Sequence, residues 1–199
     1  MRLGVKRLVD VVLSLVAIVL LSPLFLLGAA LVALTSRGPV VYRSTRLGRG
    51  EEPFVFWKFR TMYDGAHEDR ESYSHLNHQS GPIFKIREDP RCTPIGFFLR
   101  RSSLDELPQL FHVLRGKMSL VGPRPPLAEE VAQYDATARQ RLLVKPGLTC
   151  IWQVSGRANI DFEKWVEMDL DYISTWSLRT DLWLMLRTVP AILRGTGAH

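Results

Sequence analysis

Cysteine is scarce in this 199-residue chain: Cys92 and Cys150 stand far apart and in no C-x-x-C pair. A disulfide framework and a cysteine-based zinc site are therefore disfavoured, and a reducing compartment fits. Also missing are a Walker-type loop, a G-x-G-x-x-G turn, a G-x-S-x-G elbow and an H-E-x-x-H pair. Their absence removes the commonest nucleotide, dinucleotide, serine-hydrolase and zincin signatures. There is no internal repeat and no low-complexity tract. What is present is enough apolar material, 46% of residues against 23% charged, to bury a core, which excludes global disorder. The length suits one compact domain with an appendage.

Charge is uneven along the chain. The formal net charge is +6, and residues 1–60 hold nine Lys/Arg against three Asp/Glu while the remainder is balanced. The excess lies beside the most apolar segment, a footprint that suits anionic lipid headgroups. Nucleic acid is not indicated, since neither a stacking platform nor a groove-reading helix is evident.

Val11 to Leu34 runs for 24 residues without a charge. As one straight helix it would be about 36 Å long, enough to cross a hydrocarbon core of roughly 30 Å. A cleaved signal peptide is disfavoured because the apolar stretch exceeds the usual length. Ser22-Pro23 falls at the midpoint; Pro23 removes one helical hydrogen bond and predicts a kink, and the Ser22 hydroxyl can satisfy a freed carbonyl. Each arm is then about 18 Å long, sufficient for one leaflet. Arg2, Lys6 and Arg7 precede the run, and Arg37, Arg43, Arg46 and Arg49 follow it. Basic residues on both flanks favour a re-entrant hairpin returning to one face; a kinked span is the alternative.

Beyond the apolar run, Val40–Tyr42 and Phe54–Trp57 read as strands with Gly48 and Gly50 turning between them. Residues 64–82 form a polar surface stretch whose histidines, His67, His75 and His78, fit no zinc spacing and read as solvated. Helices are expected over Ile95–Arg101, from Ser102-Ser103 to Arg115 with Gly116 as stop, over Ala128–Leu143, Phe162–Thr175 and Leu182–Leu193. Gly122–Pro126 reads as an ordered extended loop, and Pro146-Gly147 and Ser155–Arg157 as turns. The last helix, with Trp165, Tyr172 and Trp176 before it, suits either an interfacial amphipathic surface or a core helix, and its tryptophans and basic ends favour the interface.

The chemistry concentrates in Ser102–Phe111. Ser103 and Glu106 have capping-box spacing, which is the plainer reading of the pair, although Pro108 belongs in a helix's first turn and places an alternative start near Leu107. Equally, Asp105 and Glu106 are adjacent carboxylates at a helix start, where the dipole keeps them ionised as a nucleophile or a magnesium ligand requires. Lys58, Arg60, Arg91, Arg100, Arg101, Arg124 and Arg157 sit at turns and element ends, and Arg124 lies between two prolines. Stiffly held guanidiniums suit bidentate phosphate recognition, so phosphoryl chemistry on a lipid-linked substrate is indicated.

These segments resemble the bacterial sugar transferase family of monotopic phosphoglycosyl transferases: KFRTM (58–62), DPRCT (89–93), SSLDELPQLFHVLRG (102–116), MSLVGPRP (118–125) and WQVSGR (152–157), with Lys6-Arg7-x-x-Asp10, Ser22-Pro23 and Pro146-Gly147. The resemblance covers nearly the whole chain and, since many relatives carry additional spanning helices, looks like the catalytic unit. It implies transfer of a sugar 1-phosphate from a UDP-sugar to polyprenyl (undecaprenyl) phosphate with release of UMP, at the start of surface glycan or exopolysaccharide synthesis. By the same resemblance Asp105 is the nucleophile and Glu106 its partner, associated with Mg²⁺. Lys58, Arg60, Arg100, Arg124, Glu129, Gln153 and Arg157 fall on family motif positions that would bind substrate. The implied fold is helix-dominated α+β. Residues 1–36 would be the re-entrant helix-break-helix, and 37–199 a catalytic domain on the cytoplasmic face of the bacterial inner membrane, with a short β element and interfacial helices; monomer and homodimer both stay open. Three positions depart from the family pattern: Ser44, Lys117 and Cys150. The rival enzyme is a membrane-associated glycosyltransferase using Asp169-Leu170-Asp171 as a D-x-D metal site, which helical spacing disfavours; a non-enzymatic membrane scaffold is the third reading.

Overall fold

The computed structural model describes residues 2–66, 68–79, 81–156 and 160–194, with the side chain of Arg2 excepted. It is a helix-dominated α+β structure with two small sheets. His67 and Arg157, both named above, lie outside the described residues.

The apolar run forms two helices, α1 (Arg2–Leu20) and α2 (Ser22–Thr35), bent by 62°. The break follows from Pro23, whose missing N–H would have met the Val19 carbonyl. Ser22 Oγ donates to that same carbonyl at 2.8 Å, as the sequence predicted. Among the described residues no single helix is long and apolar enough to cross a membrane, though the bent pair is so jointly.

Helix α1 is an inverted amphipathic helix. Its polar residues face the protein: Asp10 and Ser14 are buried, and Asp10 Oδ1 accepts from Ser119 Oγ and the Leu120 amide, both at 3.1 Å. Lys6 Nζ reaches Asp181 at 2.5 Å and the Val121 carbonyl at 3.2 Å, while Arg7 donates to the Val113 and Leu114 carbonyls. The apolar residues Leu3, Leu8, Val12, Leu15, Val19 and Leu20 face outward. Lys6 and Arg7 therefore do not serve as a free basic flank, as charge counting suggested; their charges dock α1 onto the body of the molecule. Helix α2 packs through Gly28, where a Cβ would come within 3.1 Å of the Phe59 ring, and through Val32, clustered with Phe59 and Leu99.

The predicted hairpin is present. Strands β1 (Val41–Leu47) and β2 (Pro53–Phe59) pair antiparallel, joined by a turn in which Gly50 takes φ 68°. After two 3₁₀ turns in the polar stretch comes α3 (Pro94–Arg101), N-capped by Thr93. The expected helix from Ser103 to Arg115 is instead a 3₁₀ segment, Leu104–Gln109, running into α4 (Leu110–Leu114). Pro108 accounts for the difference, since it cannot donate inside an α-helix.

Strand β3 (Ser119–Val121) pairs parallel with β4 (Gly147–Thr149), an element that sequence reading took for a turn. The stretch expected as one helix over 128–143 is broken into α5 (Ala128–Val131), α6 (Ala136–Arg139) and a 3₁₀ turn, with Asp135 capping α6 through the Ala138 amide. Helices α7 (Ile151–Ser155), α8 (Phe162–Ser174) and α9 (Leu178–Arg194) complete the chain. The aromatic residues expected to share a surface with the last helix divide. Trp165 and Tyr172 are core residues and Trp176 donates to Asp181, whereas Leu182, Trp183, Leu186, Val189 and Leu193 leave α9 with an exposed apolar face.

Two buried polar groups carry measurable consequences. Asp181 accepts from Lys6, Tyr172 and Trp176, so Asp181→Ala would leave the half-buried Lys6 ammonium without its counter-ion and Trp176 without its acceptor, and lower unfolding free energy by about 3 kcal/mol, read from chemical denaturation in detergent. His112 Nε2 accepts from the Trp57 amide at 3.1 Å, and burial, aided by Arg115, lowers its pKa to about 4. The folded state thus holds His112 neutral while the unfolded chain protonates it near 6.5, so its contribution is present above about pH 6.5 and lost as pH falls toward 4. Thermal unfolding followed from pH 7.5 to 5 would show that slope in the wild type and a shallower one in His112→Gln.

Candidate active site

The cleft begins where α3 ends. Ser102 Oγ returns to the Phe98 carbonyl at 2.8 Å, and Ser103 takes φ 55°, reversing the chain into the 3₁₀ segment that carries Asp105 and Glu106. No side-chain cap is made by Ser103, so the capping box expected from the sequence does not form; the left-handed backbone does the turning instead. Asp105 is buried at 7% exposure and lines, with Glu106, a cleft of about 1340 Å³.

Cations converge on this cleft from separate elements. Lys58, opposite Tyr42 on the hairpin, lies in the field of Asp105; burial and then Arg100 lower its pKa to about 8 against the pull of Asp105. Arg100, at the end of α3, donates from Nε to Thr61 Oγ1 at 2.9 Å. Arg124 is fixed by the β3–β4 crossing: Gly122 donates to the Thr149 carbonyl and Gly147 to the Pro123 carbonyl, and a Cβ on Gly147 would meet the Gly122 nitrogen. Only glycines let these two backbones approach so closely, and the prolines that follow stiffen the segment.

The remaining candidates divide. Arg60 lines the cleft but spends Nη2 on the Ser36 carbonyl and hydroxyl, both at 2.8 Å, tying off the end of α2. Glu129 is exposed at the cleft rim and paired with Arg70 at 2.7 Å. Gln153, on α7, lines the cleft and accepts from Cys150 Sγ at 3.2 Å. Burial pushes the Cys150 thiol well up, so it is an inert packing group. Arg91 also lines the cleft, yet it is bound to Asp89 at 2.8 Å; burial alone would raise that carboxyl, and the Arg91 hydrogen bonds hold it below its ordinary value. Arg101 is exposed. Lys117 sits at the surface, 3.8 Å from Glu52. Sequence reading missed Arg46, which it placed in a basic flank; it lines the cleft beside Arg124.

The D-x-D alternative fails on geometry. Asp169 is 1% exposed and bonded to Arg141 at 2.7 Å, while Asp171 is exposed, so the two carboxylates diverge. Burial, opposed by Arg141, raises Asp169 to about 6. Among the described residues no group of three or more His, Cys, Asp or Glu side chains is placed to hold a metal ion.

Comparison with known proteins decides the relationship: the bacterial sugar transferase family matches over residues 1–195. The chain belongs to that family. It is 41% identical to the exopolysaccharide production protein ExoY of Rhizobium meliloti over 198 residues, covering 98% of this chain and 88% of the relative. It is also 41% identical to the UDP-glucose:undecaprenyl-phosphate glucose-1-phosphate transferase of Caulobacter vibrioides, covering 98% and 72% respectively. With the galactosyl transferase CpsE of Streptococcus agalactiae it shares 45% identity over 162 residues, and there the match spans 81% of this chain but 36% of the relative. As a sugar transferase, the chain is an enzyme of the transferase class, and the cleft carrying the Asp105–Glu106 pair is its candidate active site.

Lys58 gives this site a pH signature. With its pKa at about 8, its charge is lost as pH rises through that value, so affinity of the cleft for an anionic probe is expected to fall over the same range. Calorimetric titration with inorganic pyrophosphate between pH 7 and 9.5 would show the fall, and Lys58→Arg would remove it.

Proposed function

We propose that this sugar transferase moves a sugar 1-phosphate from a UDP-sugar to undecaprenyl or a related polyprenyl phosphate, releasing UMP and initiating surface glycan or exopolysaccharide assembly. The observation that carries this reading is a buried aspartate ringed by cations in a cleft too large for a single phosphate. Related proteins named for undecaprenyl-phosphate galactose and glucose-1-phosphate transfer support the substrate classes. The cleft is also roomy enough for the donor's sugar and nucleoside.

Asp105 Oδ attacks the sugar-bearing β-phosphorus; the bond from that phosphorus to the bridging oxygen breaks, and UMP leaves with the electron pair. An oxygen of the polyprenyl phosphate then attacks the aspartyl phosphosugar, giving a lipid diphosphate sugar and restoring the carboxylate. Lys58, Arg100 and Arg124 stabilise the charge on the phosphate oxygens, at positions fixed before substrate arrives. Gln153 and Arg157 contribute to substrate binding, and Arg60 and Glu129 shape the cleft's two margins. The adjacent carboxylates of Asp105 and Glu106 suit Mg²⁺, which takes one or two carboxylates and completes its shell with water and substrate phosphate. Glu106 would be its protein ligand, and the ion when bound would neutralise charge on the diphosphate.

The same reading assigns the enzyme to the cytoplasmic face of the bacterial inner membrane. Its α1–α2 elbow would be immersed in one leaflet as a re-entrant hairpin, with the apolar face of α9 at the interface. Support comes from the outward apolar faces of α1, α2 and α9, which water would disfavour and lipid would not. The exposed face also leaves room for a second copy of the chain, so monomer and homodimer are both compatible.

Asp105→Asn is expected to abolish turnover and to prevent capture of label from a UDP-sugar labelled in both sugar and β-phosphate. Asp169→Asn should retain the chemistry at reduced stability. UDP as the sole nucleotide product, or full turnover by Asp105→Asn, would reject the proposal.

A further inference from the structure

The basic residues that follow the apolar run do not stay together in space. Arg49 is exposed away from the cleft and Arg43 is an exposed residue of its lining, whereas Arg46, also in the lining, is half-buried on β1. The antiparallel register sets Tyr42 against Lys58, Ser44 against Phe56 and Arg46 against Phe54, so the pleat gathers all of them on one face of the hairpin. Side-chain contacts agree, with Lys58 Nζ 5.4 Å from the centre of the Tyr42 ring and the Arg46 guanidinium 5.4 Å from that of Phe56.

This face holds donors that the protein leaves unused. Arg46 gives Nη1 to the Pro125 carbonyl at 3.2 Å, but its Nε and the Ser44 hydroxyl are buried with no hydrogen-bond partner among the described residues. Neither Arg46 nor Lys58 takes part in a salt bridge among the described residues. Burial, followed by the neighbouring Arg124, lowers the Arg46 pKa to about 10, and Glu130 only partly offsets this. A buried donor without a partner is costly, and two like-charged guanidiniums on a cleft wall are stabilised by an anion shared between them. A neutral sugar hydroxyl would satisfy the donors but leave the repulsion standing.

We infer that Ser44 and Arg46, acting with Lys58 and Arg124, form a phosphate cradle on the hairpin wall of the cleft. The Ser44 hydroxyl and Arg46 Nε–H donate to oxygens of a substrate phosphate. This deepens the phosphotransferase reading and rests on it. The shared chemistry is a phosphate oxyanion, which either the diphosphate of the nucleotide sugar or the monophosphate of the lipid acceptor would supply.

Initial rates of the full chain in lipid nanodiscs, with UMP as readout, separate these sources when each substrate is varied against saturating amounts of the other. Arg46→Lys keeps the charge and loses the planar fork; it should raise KM for one substrate about tenfold and leave the other within about twofold. Ser44→Ala, which removes only a hydroxyl and does not threaten folding, should raise the same KM a few fold. A rise confined to the donor assigns the cradle to the diphosphate, and one confined to the acceptor assigns it to the lipid phosphate. Unchanged KM values for both substrates in both variants would overturn the inference, as would equal rises in both that track a lower melting temperature. Calorimetric titration with inorganic pyrophosphate reads the cradle without turnover. Weaker binding by Ser44→Ala alongside absent wild-type UMP release would sink the reaction and keep the cradle. Normal UMP release with unaltered pyrophosphate affinity and unchanged KM values for both substrates in both variants would do the reverse.

Discussion

The structure depends on a helix worn inside out. Along α1 the polar groups Lys6, Arg7, Asp10 and Ser14 recur at helical spacing and point inward, while leucines and valines point away. Lys6 and Asp10 meet strand β3 itself, at Ser119, Leu120 and Val121, and Arg7 meets the end of α4. Because β3 leads directly into Gly122-Pro123-Arg124, the residues that dock the apolar elbow also fix one wall of the cleft. A charge network buried at that junction tolerates little rearrangement, since breaking one pair leaves its partner desolvated and alone. Elbow and cleft are in this way built as one unit.

The cleft itself concentrates like charge at a cost. Lys58, Arg100, Arg124 and Arg46 come from four different segments, and burial together with the neighbouring arginines lowers the pKa of Lys58 and Arg46. Asp105 opposes the shift at Lys58. Other buried charges of the chain are handled differently: Arg91 is paired with Asp89, and Arg141 with Asp169, inside the protein. That contrast between guanidiniums paired with a carboxylate and guanidiniums without one is invisible to charge counting.

Much of this was legible beforehand, unevenly. The Ser22-Pro23 break, the hairpin and α8 follow from local rules, and the structure repeats them. The helix assigned to 128–143 broke because Asp135 caps a new start, and the Ser103–Glu106 capping box gave way to a left-handed serine before a proline-containing 3₁₀ turn. The parallel pairing of β3 with β4 escaped notice because three-residue strands carry no periodicity. Their signal lay in Gly122 and Gly147, which allow two backbones to touch. Arg46 was grouped with the basic flank because adjacency in sequence says nothing about which face of a strand a residue takes.

The amino-acid sequence by itself determined the apolar elbow, the acidic pair at a helix start and the family, because each rests on residues close together along the chain. Which arginines are free to meet an anion, and which carboxylates are sealed in ion pairs, was decided only by the tertiary structure. Burial and electrostatic pairing depend on distances in space, and those are set by packing between segments that lie far apart along the chain.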